Sequence, residues 1–117
     1  IKRDFIVGEF SSEVKTLEKL FVQMRRTLNA KWSAISAAKS MGLTVKRLNA
    51  LCLEVHSETF SKILFRNRMQ KAFDMLSLGK YTYSEIASET GYSDAYAFSK
   101  AFKLFYGKSP HLFCKKK

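Results

Sequence analysis

The side chains of this chain best suited to chemistry are cations and hydrogen-bond donors rather than nucleophiles or metal ligands. They fall in two clusters, Lys46, Arg47, Asn49 and Ala50, and then Tyr96, Ser99, Lys100 and Lys103. On a helix turning about 100° per residue, with Leu48 as the buried reference, Leu51, Cys52 and Val55 lie within about 60° of it. Lys46 and Ala50 then face away, with Arg47 and Asn49 on the flanks. With Phe98 as reference, Ala101, Phe102 and Phe105 share the inner side, Tyr96, Lys100 and Lys103 face away, and Ser99 flanks. Such sets suit the edges of bases. Arg47 matches O6 and N7 of guanine, Asn49 matches N6 and N7 of adenine, and Ala50 offers a methyl-sized surface to a thymine methyl. Lys46 and Lys100 suit guanine or phosphate, and Tyr96 can stack on a sugar or a thymine methyl. Lys103, Thr44 and Ser93 are expected phosphate anchors, which fix register without reading sequence.

Charge points the same way. The 117 residues carry 21 Lys/Arg against 10 Asp/Glu, a formal charge of +11. Residues 31–117 hold fifteen of those cations against six acids, so the excess sits where the two clusters lie. A basic chain of this kind implies a polyanionic partner, nucleic acid or an anionic membrane face. Catalysis has no foothold: there is no Cys/His cluster, no Gly-rich phosphate loop and no paired carboxylates in a plausible pocket. His56 and His111 are isolated and read as loop or surface histidines. The expectation is a protein that is not an enzyme and takes no metal or cofactor. Nothing approaches eighteen consecutive apolar residues, so no membrane span is expected. Cys52 and Cys114 form no Cys-x-x-Cys pair, which fits reduced thiols in a cytoplasmic protein. The chain starts at Ile1 rather than Met and lacks a secretory signal pattern, as expected of a piece of a longer product.

The elements that must position the clusters are all helical. There is one proline and no strictly alternating β-branched run, while 46% hydrophobic content with ten Phe supports real cores. About seven helices are expected. Residues 1–10 read as a lead-in or linker. A first lobe, 11–56, has helix 1 capped at Ser11 or Ser12 with apolar positions Val14, Leu17, Leu20/Phe21, Met24 and Leu28. Ser33 caps a short helix through Ser40, with Trp32 as a staple, and Thr44 caps the helix over 45–55. A linking helix, 57–79, opens at Ser57 and ends at Gly79. In the second lobe, 80–114, Thr82 and Glu85 form a capping box, Gly91 makes the turn, and Ser93 or Asp94 caps the next helix. Ser109-Pro110 starts a last short turn, and 115–117 is a basic tail.

The lobes repeat each other. Ala38-x-x-x-Gly42-Leu43-Thr44 answers Ala87-x-x-x-Gly91-Tyr92-Ser93, 49 residues on. After one extra residue the offset becomes 50, so that Leu48 matches Phe98, Cys52 matches Phe102, and Ser57 matches Gly107. A helix, a glycine turn and a capped second helix are the plan of a helix-turn-helix. Two copies on a shared helix are far more specific than one.

The run Ile86-Ala87-(three residues)-Gly91-Tyr92-Ser93-Asp94-(three)-Phe98-(three)-Phe102-Lys103-(three)-Gly107-(two)-Pro110 resembles the C-terminal signature of the AraC/XylS family of bacterial transcription regulators. The resemblance covers about residues 12–113, and Arg68, Ala72 and Leu76 fit the family's inter-domain helix. It implies two three-helix lobes joined by a long helix, with two recognition helices in successive major grooves. It also implies an activator of transcription and a separate N-terminal effector-binding or dimerisation domain outside this chain. The family's base-contacting residues resemble the outward positions derived above. Tyr96-Ala97, Lys100, Cys52 and Ser57 depart from the family's usual Ser-aromatic, Arg, Phe and Gly.

The expected partners are therefore double-stranded DNA and RNA polymerase, with no membrane. Two rivals remain: a non-specific architectural DNA-binding protein relying on charge, and an amphipathic helical module acting on a membrane or a protein.

Overall fold

The structure, a computed structural model, describes residues 7–113, with side chains from Ser12 onward. The described residues form six α-helices and one 3₁₀ turn, with no strand among them. These are α1 (Val7–Arg26), α2 (Ala34–Ser40), α3 (Val45–His56), α4 (Phe60–Leu78), α5 (Tyr83–Glu89), α6 (Ala95–Tyr106) and the turn Pro110–Phe113. The all-helical expectation holds.

Two boundaries differ from the sequence reading. α1 is already helical at Val7, ahead of Ser11 and Ser12. No proline or glycine pair breaks the backbone there, so propagation costs little once a turn exists. α4 starts at Phe60 instead of next to Ser57. Ser57 takes the left-handed conformation, φ 63°, and its N–H closes α3 onto the Leu53 carbonyl. The chain then restarts at Thr59, whose carbonyl accepts from Ile63 N at 3.0 Å and whose Oγ1 accepts from Lys62 N at 3.4 Å.

The chain divides into two compact units, one comprising residues up to Thr27 with Trp32–Ile63, the other Leu28–Lys31 with Leu64 onward. The expected linking helix is thus shared, with its first turn in one unit and the rest in the other. In the first unit, Leu17, Phe21 and Met24 of α1 are buried, as are Ala37 and Ala38 of α2 and Leu48, Leu51 and Cys52 of α3. Phe60 is buried too, its ring stacked on Phe21 with centroids 6.2 Å apart. Trp32 secures the end of α1, its indole N–H donating to the Thr27 carbonyl at 2.9 Å.

In the second unit, one stripe of α4 (Met69, Ala72, Met75, Leu76) meets Ile86 and Ala87 of α5 and Phe98 and Phe102 of α6. Phe113 from the 3₁₀ turn seals this core against Phe73 and Phe102, each at 5.5 Å between ring centroids. Tyr106 anchors α6 to α4 through a hydrogen bond from its hydroxyl to the Met69 carbonyl, 3.2 Å long. Phe105, expected on the core side, is 37% exposed and packs only at the margin, edge-on to Phe65. It lies seven residues, nearly two turns, beyond Phe98, where the helix has already run to the edge of the core.

Candidate nucleic-acid interface

Each unit presents one helix on a rigid turn, and the two turns are built alike. α2 is capped at its C-terminus by Met41, and Gly42 follows with φ 71°; α5 is capped by Thr90, and Gly91 follows with φ 88°. The next N–H returns to the helix in both cases: Leu43 N to Ala38 O and Tyr92 N to Ala87 O, each 2.8 Å. This six-residue closure, with the glycine N–H bonded one residue inside it, fixes where the following helix starts. Thr44 then caps α3 by accepting from Arg47 N at 3.1 Å, and Asp94 caps α6 by accepting from Ala97 N at 2.8 Å. The caps are 50 residues apart and the turn glycines 49, so the extra residue of the second copy lies in the turn, at Ser93. Of the alternatives Ser93 and Asp94, Asp94 is the cap. At the far ends, Ser57 and Gly107 both adopt the left-handed conformation and return their N–H to Leu53 and Lys103, again 50 residues apart.

The caps place the candidate residues. Lys46, Arg47 and Ala50 are exposed on α3, and Tyr96, Lys100 and Lys103 on α6; Ser99 is half-buried at its flank. The Lys100 ammonium lies over the Tyr96 ring at 5.5 Å, a cation–π contact between two outward positions one turn apart. The Thr44 hydroxyl oxygen accepts the capping bond, which does not use its proton. Ser93 is exposed in the turn ahead of α6.

Asn49 has an intramolecular partner that the sequence did not show. Its Oδ1 accepts the Phe60 N–H at 2.9 Å, tying α3 to the start of α4. That bond uses one lone pair of the amide oxygen; the second lone pair and the two Nδ2 hydrogens remain for a base edge. Of the two histidines, His111 is exposed as expected, whereas His56 is corrected. His56 belongs to the last turn of α3, where Nε2 is 2.7 Å from the Glu18 carboxylate and the ring meets Phe21 edge-on. His111 shares a concavity of about 270 Å³ with Tyr96, Ser99, Lys100, Lys103 and Ser109. It thus joins the outward face of α6, which its isolation in the sequence did not reveal. A larger concavity, about 450 Å³ between Lys71, Met75, Tyr81 and Glu85, is lined by none of the candidate base readers.

Arg68 of α4 lies against the turn that precedes α6. Its Nε and Nη2 donate to the Leu28 carbonyl at 3.1 and 3.0 Å, and Nη2 also reaches Ala30 O at 2.8 Å. Burial lowers its pKa from the ordinary guanidinium range, and the facing Tyr92 partly offsets that. The same guanidinium sits against Gly91, where a Cβ would come within 2.7 Å of Nη2 and of Leu28 O. Sequence had marked Arg68 only as a position on the central helix. Thr90, fully buried, was also missed; its hydroxyl donates to Ile86 O at 2.7 Å. Among the described residues no group of His, Cys, Asp and Glu could hold a metal ion, and no helix is long and apolar enough to cross a membrane.

Comparison with known proteins agrees with this geometry. A family profile described as a helix-turn-helix domain matches residues 37–116. The Msm operon regulatory protein of Streptococcus mutans is 33% identical over 78 residues, covering 67% of this chain and 28% of that protein. The C-terminal domain of the two-component response regulator yesN from Fusobacterium nucleatum superposes with a TM-score of 0.77 at 20% identity, over 85% of this chain and 97% of that one. The DNA-binding domain of the global transcriptional factor AdpA, solved in complex with a target DNA, superposes with a TM-score of 0.76 at 16% identity, over 83% and 87%. This chain spans between 28% and 42% of the length of four curated relatives it matches. Fold and repeat together define a double helix-turn-helix unit of the kind found in transcription regulators. The chain belongs to the AraC/XylS family, of whose regulators it is the DNA-binding domain.

Proposed function

We propose that this domain binds double-stranded DNA sequence-specifically, with α3 and α6 as recognition helices in successive major-groove segments. The observation that carries the reading is the shared frame of the two helices. Cap, buried residue and C-terminal left-handed residue recur at a constant offset of 50, so both copies turn equivalent positions outward. Charge alone would not require such capped and matched faces.

Base contacts fall to Lys46, Arg47, Asn49, Ala50, Tyr96, Ser99 and Lys100. Phosphate contacts fall to Thr44, Ser93 and Lys103. Activation, the sign that the family resemblance suggests, places RNA polymerase as the protein partner and the cytoplasm as the setting.

Selection of bound sequences from a random DNA pool tests the reading. The expected outcome is an enriched asymmetric site whose dissociation constant lies at least about tenfold below that of random competitor. Enrichment of no sequence would favour the architectural alternative. On the selected site, Arg47→Ala should relax preference at one base pair, at a cost of about 1–3 kcal/mol on the preferred base. Lys103→Ala should weaken all sequences alike. A uniform loss for both would remove base reading from α3.

A further inference from the structure

Arg47 is not an isolated cation on the exposed side of α3. Its guanidinium meets the Glu13 carboxylate of α1 side-on, with Nε donating to Oε2 at 3.4 Å and Nη2 paired with Oε1. Both side chains keep much of their water contact, 48% for Arg47 and 30% for Glu13. A pair so exposed contributes little to stability. As a contribution to simple DNA affinity, a carboxylate here has the wrong sign, because it repels phosphates. What it does supply is orientation.

A guanidinium carries five N–H donors around a planar fork. Glu13 takes the edge formed by Nε and Nη2. The end edge, formed by Nη1 and the second hydrogen of Nη2, is a separate parallel pair of donors. That spacing matches O6 and N7 of guanine. An arginine without a carboxylate at its side can swing between a base edge and the flanking phosphates. One held along its Nε edge offers the same donors in one direction.

We propose that Glu13 is a positioning residue for base recognition by α3, holding the Arg47 fork so that its end edge is presented to a guanine. This rests on the reading of α3 as a recognition helix.

The test is a double-mutant cycle on the selected DNA site and on variants with the preferred guanine changed, using Glu13→Gln, Arg47→Ala and the pair. Glu54→Gln, another exposed acid of the same unit, controls for charge. Both Glu variants should bind all DNA somewhat more tightly through the lost negative charge. Glu13→Gln alone should also lose discrimination at the guanine, by about three- to tenfold, and should lose none in the Arg47→Ala background. Thermal melting should barely change.

Equal effects of Glu13→Gln and Glu54→Gln would overturn the proposal, as would a loss of discrimination that persists without Arg47. So would a lowered melting temperature with full discrimination, which would make the pair a strut between α1 and α3. If Arg47→Ala itself left every base preference intact, the recognition role of Arg47 would fail, and the positioning role with it.

Discussion

Among single residues, Cys52 is moved furthest from its ordinary chemistry. Its side chain is fully buried, and burial, reinforced by the nearby Glu18 carboxylate, raises its thiol pKa from 9.0 to about 11. The folded state therefore keeps a proton that the unfolded chain gives up. This contribution is fully present below about pH 9 and is lost as pH rises through about 11. The predicted loss, up to about 2 kcal/mol, should appear in denaturant midpoints between pH 8 and pH 11 and be missing from Cys52→Ala. Parallel alkaline curves for the two proteins would contradict it, since Tyr92 and Tyr106, also raised by burial, titrate in both. Cys52→Ser should cost about 1–3 kcal/mol at neutral pH, because the hydroxyl is more strongly penalised by burial than the thiol. Cys114 lies outside the described residues.

At the scale of elements, the turns carry the testable energetics. Ser57 holds the left-handed C-terminal position of α3 that Gly107 holds for α6, and a serine there strains its Cβ. Ser57→Gly should raise unfolding free energy by about 0.5–1 kcal/mol; a loss of stability would show that the hydroxyl matters more than the strain. The two turn glycines should differ. Gly42→Ala meets open space and should cost about 1–2 kcal/mol, the left-handed penalty alone. Gly91→Ala also drives a methyl into Arg68 and Leu28 O, adding about 1–3 kcal/mol. These turns were legible in the sequence because their signals are local: a glycine, a capping Thr or Asp, and a stripe of Leu or Phe. The Asn49 bond was not legible because its partner, Phe60 N, is eleven residues away and is a backbone group, which no periodicity marks. The Arg68 bonds to Leu28, across forty residues, are invisible for the same reason. Arg47 was read as an outward cation, but its partner Glu13 is 34 residues upstream on another helix.

For the whole molecule, the chain with its +11 charge should show binding that falls linearly with salt on logarithmic axes, with a slope near −0.9 per phosphate neutralised. If both helices read DNA, inserting about five base pairs between their sub-sites turns one to the far side of the duplex. Affinity should then drop toward that of a single sub-site, and unchanged binding would mean that one helix carries recognition alone. The constant offset between the helices also pairs Leu53, 49% exposed, with Lys103. One copy shows the solvent an isobutyl group where the other shows an ammonium. The two helices are thus matched in frame and unequal in charge at this position. If both helices contact DNA, α6 grips phosphates more strongly than α3 during a search along random sequence, and Leu53→Lys should lengthen dwell times on non-cognate DNA; unchanged dwell times would count against α3 lying on the duplex.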